Sequence, residues 1–166
     1  GTDFQESLEH AERLAAAQQL CFVPSFSFEL VRGVASYALE LFRAVTPDVA
    51  YVPIGLGSGI CGMIAARDAL RLKTEIVGVV AAGADCYARS FEAGRALSTE
   101  SAQTIADGLA CRVPHAEAFE VIRSGAARIV RVTDDEIRAA MRHFFSDTHN
   151  VAEGAGAAAL AGAEKE

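Results

Sequence analysis

Ile54-Gly55-Leu56-Gly57-Ser58-Gly59-Ile60-Cys61-Gly62 places four glycines within nine residues, at the end of an apolar run from Val49 to Ile54. A helical pattern over Ile60 to Leu72 follows, and then a second apolar run from Glu75 to Ala82. Short apolar runs of this kind read as strands buried on both faces. Strand, tight loop, helix and strand in that order form a crossover, which makes the two strands parallel. The expected fold is therefore α/β, three layers of α/β/α around a mostly parallel sheet.

The flanks agree with that frame. Asp3 to Leu20 carries Phe4, Leu8, Ala11, Leu14 and Ala15 at helical spacing, and Cys21-Phe22-Val23 is a short extended run closed by Pro24. Leu30, Val31, Val34, Tyr37, Ala38, Leu41, Phe42 and Val45 predict a second helix, capped by Ser27 and stopped at Thr46-Pro47-Asp48. Downstream, helices are expected around Tyr87–Leu97, Thr104–Leu109 and His115–Ser124, with a strand at Ala127–Val132. Thr133 with Glu136 reads as a capping box for a helix over Asp134–Ser146. The stretch from Gly154 to Leu160 is a small-residue helix able to pack closely. No repeat or linker divides the chain, so residues 1–166 read as one α/β region.

Composition removes several classes of function. Fifteen Lys plus Arg against 22 Asp plus Glu give a net charge of −7, with no basic stripe for nucleic acid. No apolar run reaches membrane-spanning length, and Gly1–Asp3 is not the basic start of a signal peptide. Cys21, Cys61, Cys86 and Cys111 are scattered, without a Cys-x-x-Cys pair, and read as free thiols in a reducing, cytoplasmic setting. Only two lysines are present, Lys73 and Lys165.

A glycine loop between a strand and a helix lets the backbone turn tightly and presents unpaired N–H groups to an anion. The alternative is a glycine-rich turn that only packs. Gly57 to Gly62 matches G-x-G-x-x-G, yet Val79-Val80-Ala81-Ala82 stands where a ribose-binding acid is required, and Asp85 lies beyond it. A methyltransferase loop lacks its acid at Pro53, and no Gly-Lys-Ser/Thr supports a nucleoside triphosphate. The loop suggests a phosphate with no ribose beside it.

Tyr51-Val52-Pro53-Ile54-Gly55-Leu56-Gly57-Ser58 resembles the Val-Pro-Val and glycine loop of fold-type II pyridoxal-phosphate enzymes, which include threonine and serine dehydratases and serine racemase. Three further stretches fall in the family's order: Phe26–Glu40 with Gly33-Val34-Ala35-Ser36, Thr104–Ala110, and Val151–Leu160. The resemblance runs over essentially the whole chain and implies the C-terminal, larger-domain portion of the tryptophan synthase β-like fold. It further implies pyridoxal 5′-phosphate, its phosphate cradled by Gly55, Leu56, Gly57, Ser58 and Gly59, with Gly108 near the ring and Glu153 near the pyridine edge. The implied reaction removes the β-hydroxyl of a small amino-acid substrate and releases ammonia to give a 2-oxo acid, the cofactor serving as electron sink. Family members are commonly oligomeric, which implies a homo-oligomer or association with an N-terminal half.

The departures from the family are specific. Its cofactor-bearing lysine lies in an earlier Ser-Phe-Lys type segment, expected upstream of this chain, and its Ser-Gly-Gly-Asn run is expected beyond Glu166. Neither Lys73, between a helix and a strand, nor Lys165, in a charged tail, replaces that lysine, so no catalytic residue is assigned and the 166 residues alone are expected to be inactive. Some members hold a divalent cation with a glutamate and an aspartate; Asp85 matches the aspartate, but Val80 stands where the glutamate belongs, and no metal site is assigned. The alternative function is a non-catalytic phosphate-binding or assembly module of the same fold.

The remaining polar residues read as structural. His10, His115, His143 and His149 have no ligand spacing, His149-Asn150 reads as a loop pair, and Asp107 as a turn acid. Thr133-Asp134-Asp135-Glu136 is the acidic first turn of a helix. Cys86 and Cys111 have no basic neighbour to activate a thiol.

Overall fold

The computed structural model describes residues 1–166. The elements are α1 (Phe4–Gln18), α2 (Phe28–Ala44), β1 (Val49–Pro53), α3 (Ser58–Ala69), β2 (Glu75–Ala81), α4 (Cys86–Ala93), α5 (Ala116–Gly125), β3 (Arg128–Val132), α6 (Asp134–Thr148) and α7 (Gly154–Lys165). Three parallel strands lie in the order β1-β2-β3, with Val49 opposite Glu75 and Val77 opposite Arg128. Cys21-Phe22-Val23 joins no sheet.

Alternation along the strands separates two cores. Ala50, Val52, Ile54, Ile76 and Val80 face one cluster with α2, α3, α4 and α5. Val79, Ala81 and Val132 face the other, built with α6 and α7. Strands in sequential order with right-handed crossovers place α3 and α5 on the same face. Helices α6 and α7 then cover the opposite face, completing the α/β/α layers. The small residues of α7 let it sit directly on the sheet: a β-carbon on Gly162 would lie 2.7 Å from Val79 Cγ2 and 3.4 Å from Tyr51 Cδ1.

Capping explains most boundaries. Asp3 and Ser27 accept the N–H groups of Glu6 and Leu30, and Thr133 and Glu136 form the expected capping box. The expected helix over Tyr87–Leu97 stops at Ala93, because Gly94 turns left-handed with φ +67°. No helix is long and apolar enough to cross a membrane.

Candidate functional site

Gly57 sets the geometry at the carboxyl end of β1. It has φ +102°, a left-handed value suited to glycine, and stands at the N-cap of α3. A β-carbon there would lie 3.0 Å from Ala118 Cβ and 3.2 Å from Ile122 Cδ1. Because the chain turns at Gly57, α3 begins at Ser58, two residues before the expected Ile60. Ser58 and Gly59 are thus first-turn helical residues and not loop.

This start leaves a row of free donors. No backbone N–H of Gly55, Leu56, Gly57, Ser58, Gly59 or Ile60 is hydrogen-bonded to a protein acceptor; Cys61 is the first, donating to the Gly57 carbonyl at 3.0 Å. The carbonyl side of the same segment is fastened by tyrosines. Tyr87 donates its hydroxyl to the Leu56 carbonyl at 2.7 Å, and Tyr37 donates to the Gly59 carbonyl at 3.1 Å. Neither tyrosine is visible as a site residue in sequence; both sit at helical core spacing, and only the fold brings their hydroxyls to the loop.

The other two expected stretches meet here. A β-carbon on Gly55 would overlap the Gly108 carbonyl oxygen, and one on Gly108 would lie 3.0 Å from Ala155 Cβ and 3.9 Å from Glu153 Oε1. Glu153 is the N-cap of α7, accepting the Ala155 N–H at 2.8 Å and the Gly156 N–H at 3.0 Å. Its carboxylate is therefore held in place at the helix N-terminus. An open cleft of about 610 Å³ borders the Gly108 turn, lined by Asp3, Phe4, Ser7, Thr104, Asp107 and Ala110 among others.

The helix expected over Thr104–Leu109 is not formed; only a single 3₁₀ turn, Asp107–Leu109, is present. Asp134 explains the difference. Its carboxylate accepts the Thr104 hydroxyl at 2.6 Å and the Ile105 N–H at 3.1 Å. A donor satisfied by another element does not need an i−4 carbonyl, so the segment stays irregular and offers Gly108 to the glycine loop. Asp134 is a first-turn acid as read from sequence, and it is also this anchor.

Other polar groups are drawn away from the site. Asp85 is 8% exposed and accepts hydrogen bonds from Arg89 at 2.7 Å and Arg131 at 3.0 Å. Burial works to raise its carboxyl, but the two arginines outweigh that and hold it below the ordinary value. Val80 is 1% exposed within the core. The Cys86 thiol donates to the Cys111 carbonyl at 3.1 Å, and contact between the two thiols raises Cys86 and lowers Cys111. His143 pairs with Glu164, while His149 is the left-handed C-cap of α6.

Lys73 lies at the far end of the sheet from the loop, and Lys165 is held in an ion pair. Lys73 is exposed just before β2, whereas the glycine loop follows the carboxyl end of the parallel β1. Seven residues of β2 separate those edges by roughly 20 Å. Lys165 ends α7 and pairs with Glu136 at 2.9 Å, beside Glu166, which binds Arg128 at the start of β3.

A family model described as pyridoxal-phosphate dependent enzyme matches residues 1–166. The chain belongs to this family. It is 36% identical over 161 residues to a phenylserine dehydratase of Ralstonia pickettii, covering 95% of this chain and 49% of that protein. It is 31% identical to a threonine dehydratase of Nicotiana attenuata, covering 99% of this chain and 28% of that one. The processed form of threonine deaminase isoform 2 from Solanum lycopersicum superposes with TM-score 0.90 at 27% identity, over 96% of this chain and 47% of that structure. The chain thus spans half or less of the length of these relatives. The family's cofactor carries a phosphate, and six unpaired amides at a helix N-terminus fit that end of it.

Proposed function

We propose that this chain supplies the phosphate-binding wall of a dehydratase acting on β-hydroxy amino acids, by elimination of the hydroxyl and release of ammonia. The observation that carries the reading is the row of amides from Gly55 to Ile60, without protein acceptors, aimed by a left-handed Gly57. The dehydratase names of the relatives support the substrate class. When bound, pyridoxal phosphate supplies an electron sink for the substrate's α-carbon. The residues of this chain do the holding. Gly55, Leu56, Gly57, Ser58 and Gly59 would donate N–H groups to the phosphate, with Gly108 and the capped Glu153 holding the ring end of the cofactor.

The position of Lys73 and the pairing of Lys165 with Glu136 support a division of labour, in which the cofactor-bearing amine comes from a segment outside these 166 residues. They equally favour a second reading, a module that binds phosphate without chemistry. The two are separated by incubating the protein with pyridoxal phosphate, fixing with borohydride and mapping labelled peptides, alongside a 2-oxo acid assay with threonine, serine and phenylserine. We expect phosphate affinity at the loop, no specific adduct on Lys73 or Lys165, and turnover only when a lysine-bearing segment is joined to the chain. A stoichiometric adduct on Lys73 with turnover by the 166 residues overturns the division of labour. Phosphate affinity with no turnover in the joined polypeptide selects the non-catalytic module.

A further inference from the structure

Tyr87 is 1% exposed, and its hydroxyl occupies the middle of a three-member chain. The His115 N–H donates to it at 3.0 Å, and it donates to the Leu56 carbonyl at 2.7 Å. Both hydrogen-bonding directions of the phenol are therefore used, and the donor direction is committed to the glycine loop. His115 is itself packed, its ring 4.4 Å from that of Phe26. The core around α4 and α5 thus reaches the loop through one oxygen atom.

Which peptide that atom grips is what matters. In a trans peptide the carbonyl of one residue and the N–H of the next point in opposite directions. Holding the Leu56 carbonyl toward Tyr87 sends the Gly57 N–H the other way, toward the anion position. The Leu56–Gly57 peptide is also able to turn over, because glycine accepts φ of either sign and Gly57 already sits at +102°. In the flipped arrangement a carbonyl oxygen would face the phosphate in place of an N–H. We propose that Tyr87 is a positioning residue that fixes this peptide in its anion-binding orientation. This rests on the phosphate-cradle reading above.

Tyr37 provides an internal comparison. It grips the Gly59 carbonyl and by the same geometry directs the Ile60 N–H, but it is 41% exposed, so water competes for its hydroxyl. The buried clamp should dominate. Tyr87→Phe keeps the ring in the core and removes only the oxygen atom that holds Leu56.

The test is a titration of the isotopically labelled protein with inorganic phosphate, following individual backbone amides by NMR. In the unsubstituted protein the amides from Gly55 to Ile60 should shift together on binding. In Tyr87→Phe the affinity should fall about five- to tenfold, with loss of the Gly57 response while Gly59 and Ile60 still respond. Tyr37→Phe should weaken binding about twofold or less and leave the Gly57 response intact. A purely structural role for Tyr87 would lower thermal stability yet leave the Gly57 shift unchanged, and that result overturns the proposal. If no amide between Gly55 and Ile60 responds in the unsubstituted protein, the cradle reading itself fails and takes this inference with it.

Discussion

The carbonyl oxygen of Gly108 occupies the space that a β-carbon on Gly55 would fill, so the glycine loop and the Gly108 turn touch backbone to backbone. Neither side can yield by rotating a side chain. Gly55→Ala must therefore push the two segments apart, an overpacking expected to cost about 1–3 kcal/mol. Urea unfolding should show that loss, and phosphate affinity should fall with it. Unchanged stability in Gly55→Ala would mean that the two backbones separate freely and that the contact does not define the site.

Asp134 holds the Gly108 turn from a distance, through the Thr104 hydroxyl and the Ile105 N–H. Asp134→Ala removes an acceptor shared by two donors and exposes them to solvent. We expect a loss of about 1–2 kcal/mol by urea denaturation, and faster amide exchange at Ile105 and Ala106. Exchange that accelerates uniformly along α6 would instead point to a lost helix cap.

Layer order, the parallel strands and the capping box were legible because each depends on local periodicity or a single cap. Val79 and Val80 alternate to opposite faces, and that pattern needs no knowledge of the partners. The glycine loop was legible for a similar reason, since glycines between a strand and a helix have few other uses. The segment Thr104–Leu109 was not, because the carboxylate that keeps it irregular lies 29 or 30 residues away on α6. Tyr87 was hidden more deeply. Its ring fits the helical pattern of any core residue, and only the meeting of α4 with the end of β1 shows where its hydroxyl goes. Long-range hydrogen bonds leave no period in a sequence, and the tyrosine and Asp134 fastenings of the candidate site are of that kind.

Asp85 should give the protein an acid-sensitive contribution to stability. Arg89 and Arg131 hold its folded carboxyl below the ordinary value of 3.8, despite burial that works the other way. A depressed folded pKa stabilises the protein above the unfolded value, and that stabilisation is lost as pH falls through the folded one. Arg131→Met removes one of the two partners of Asp85 together with the ion pair to the exposed Glu92, whose carboxyl Arg131 also lowers. Arg131 is partly exposed, so the loss at about pH 7 should be about 1–2 kcal/mol, shared by both carboxylates. Urea midpoints measured from about pH 7 down to about pH 2.5 should show the difference between the two proteins narrowing below about pH 4. A difference that stays constant across the series would assign the loss to packing of the Arg131 stem and not to the ion pairs.

Ser58 and Gly57 are adjacent, and the cradle geometry makes opposite demands on them. The Ser58 hydroxyl makes no hydrogen bond within the protein, and its contribution to the cradle is the backbone N–H. Ser58→Ala keeps that N–H and slightly favours the first turn of α3, so phosphate affinity should change by less than about twofold. Gly57→Ala keeps its N–H as well, but forces an alanine to φ +102° and brings its β-carbon to 3.0 Å from Ala118 Cβ. Strain of about 1–3 kcal/mol should then turn the peptide away and reduce phosphate affinity about five- to hundredfold. Phosphate titrations of both variants, read against their thermal midpoints, decide the matter. If Ser58→Ala loses affinity as severely as Gly57→Ala, the hydroxyl binds the anion directly, and the cradle is not built from backbone amides alone.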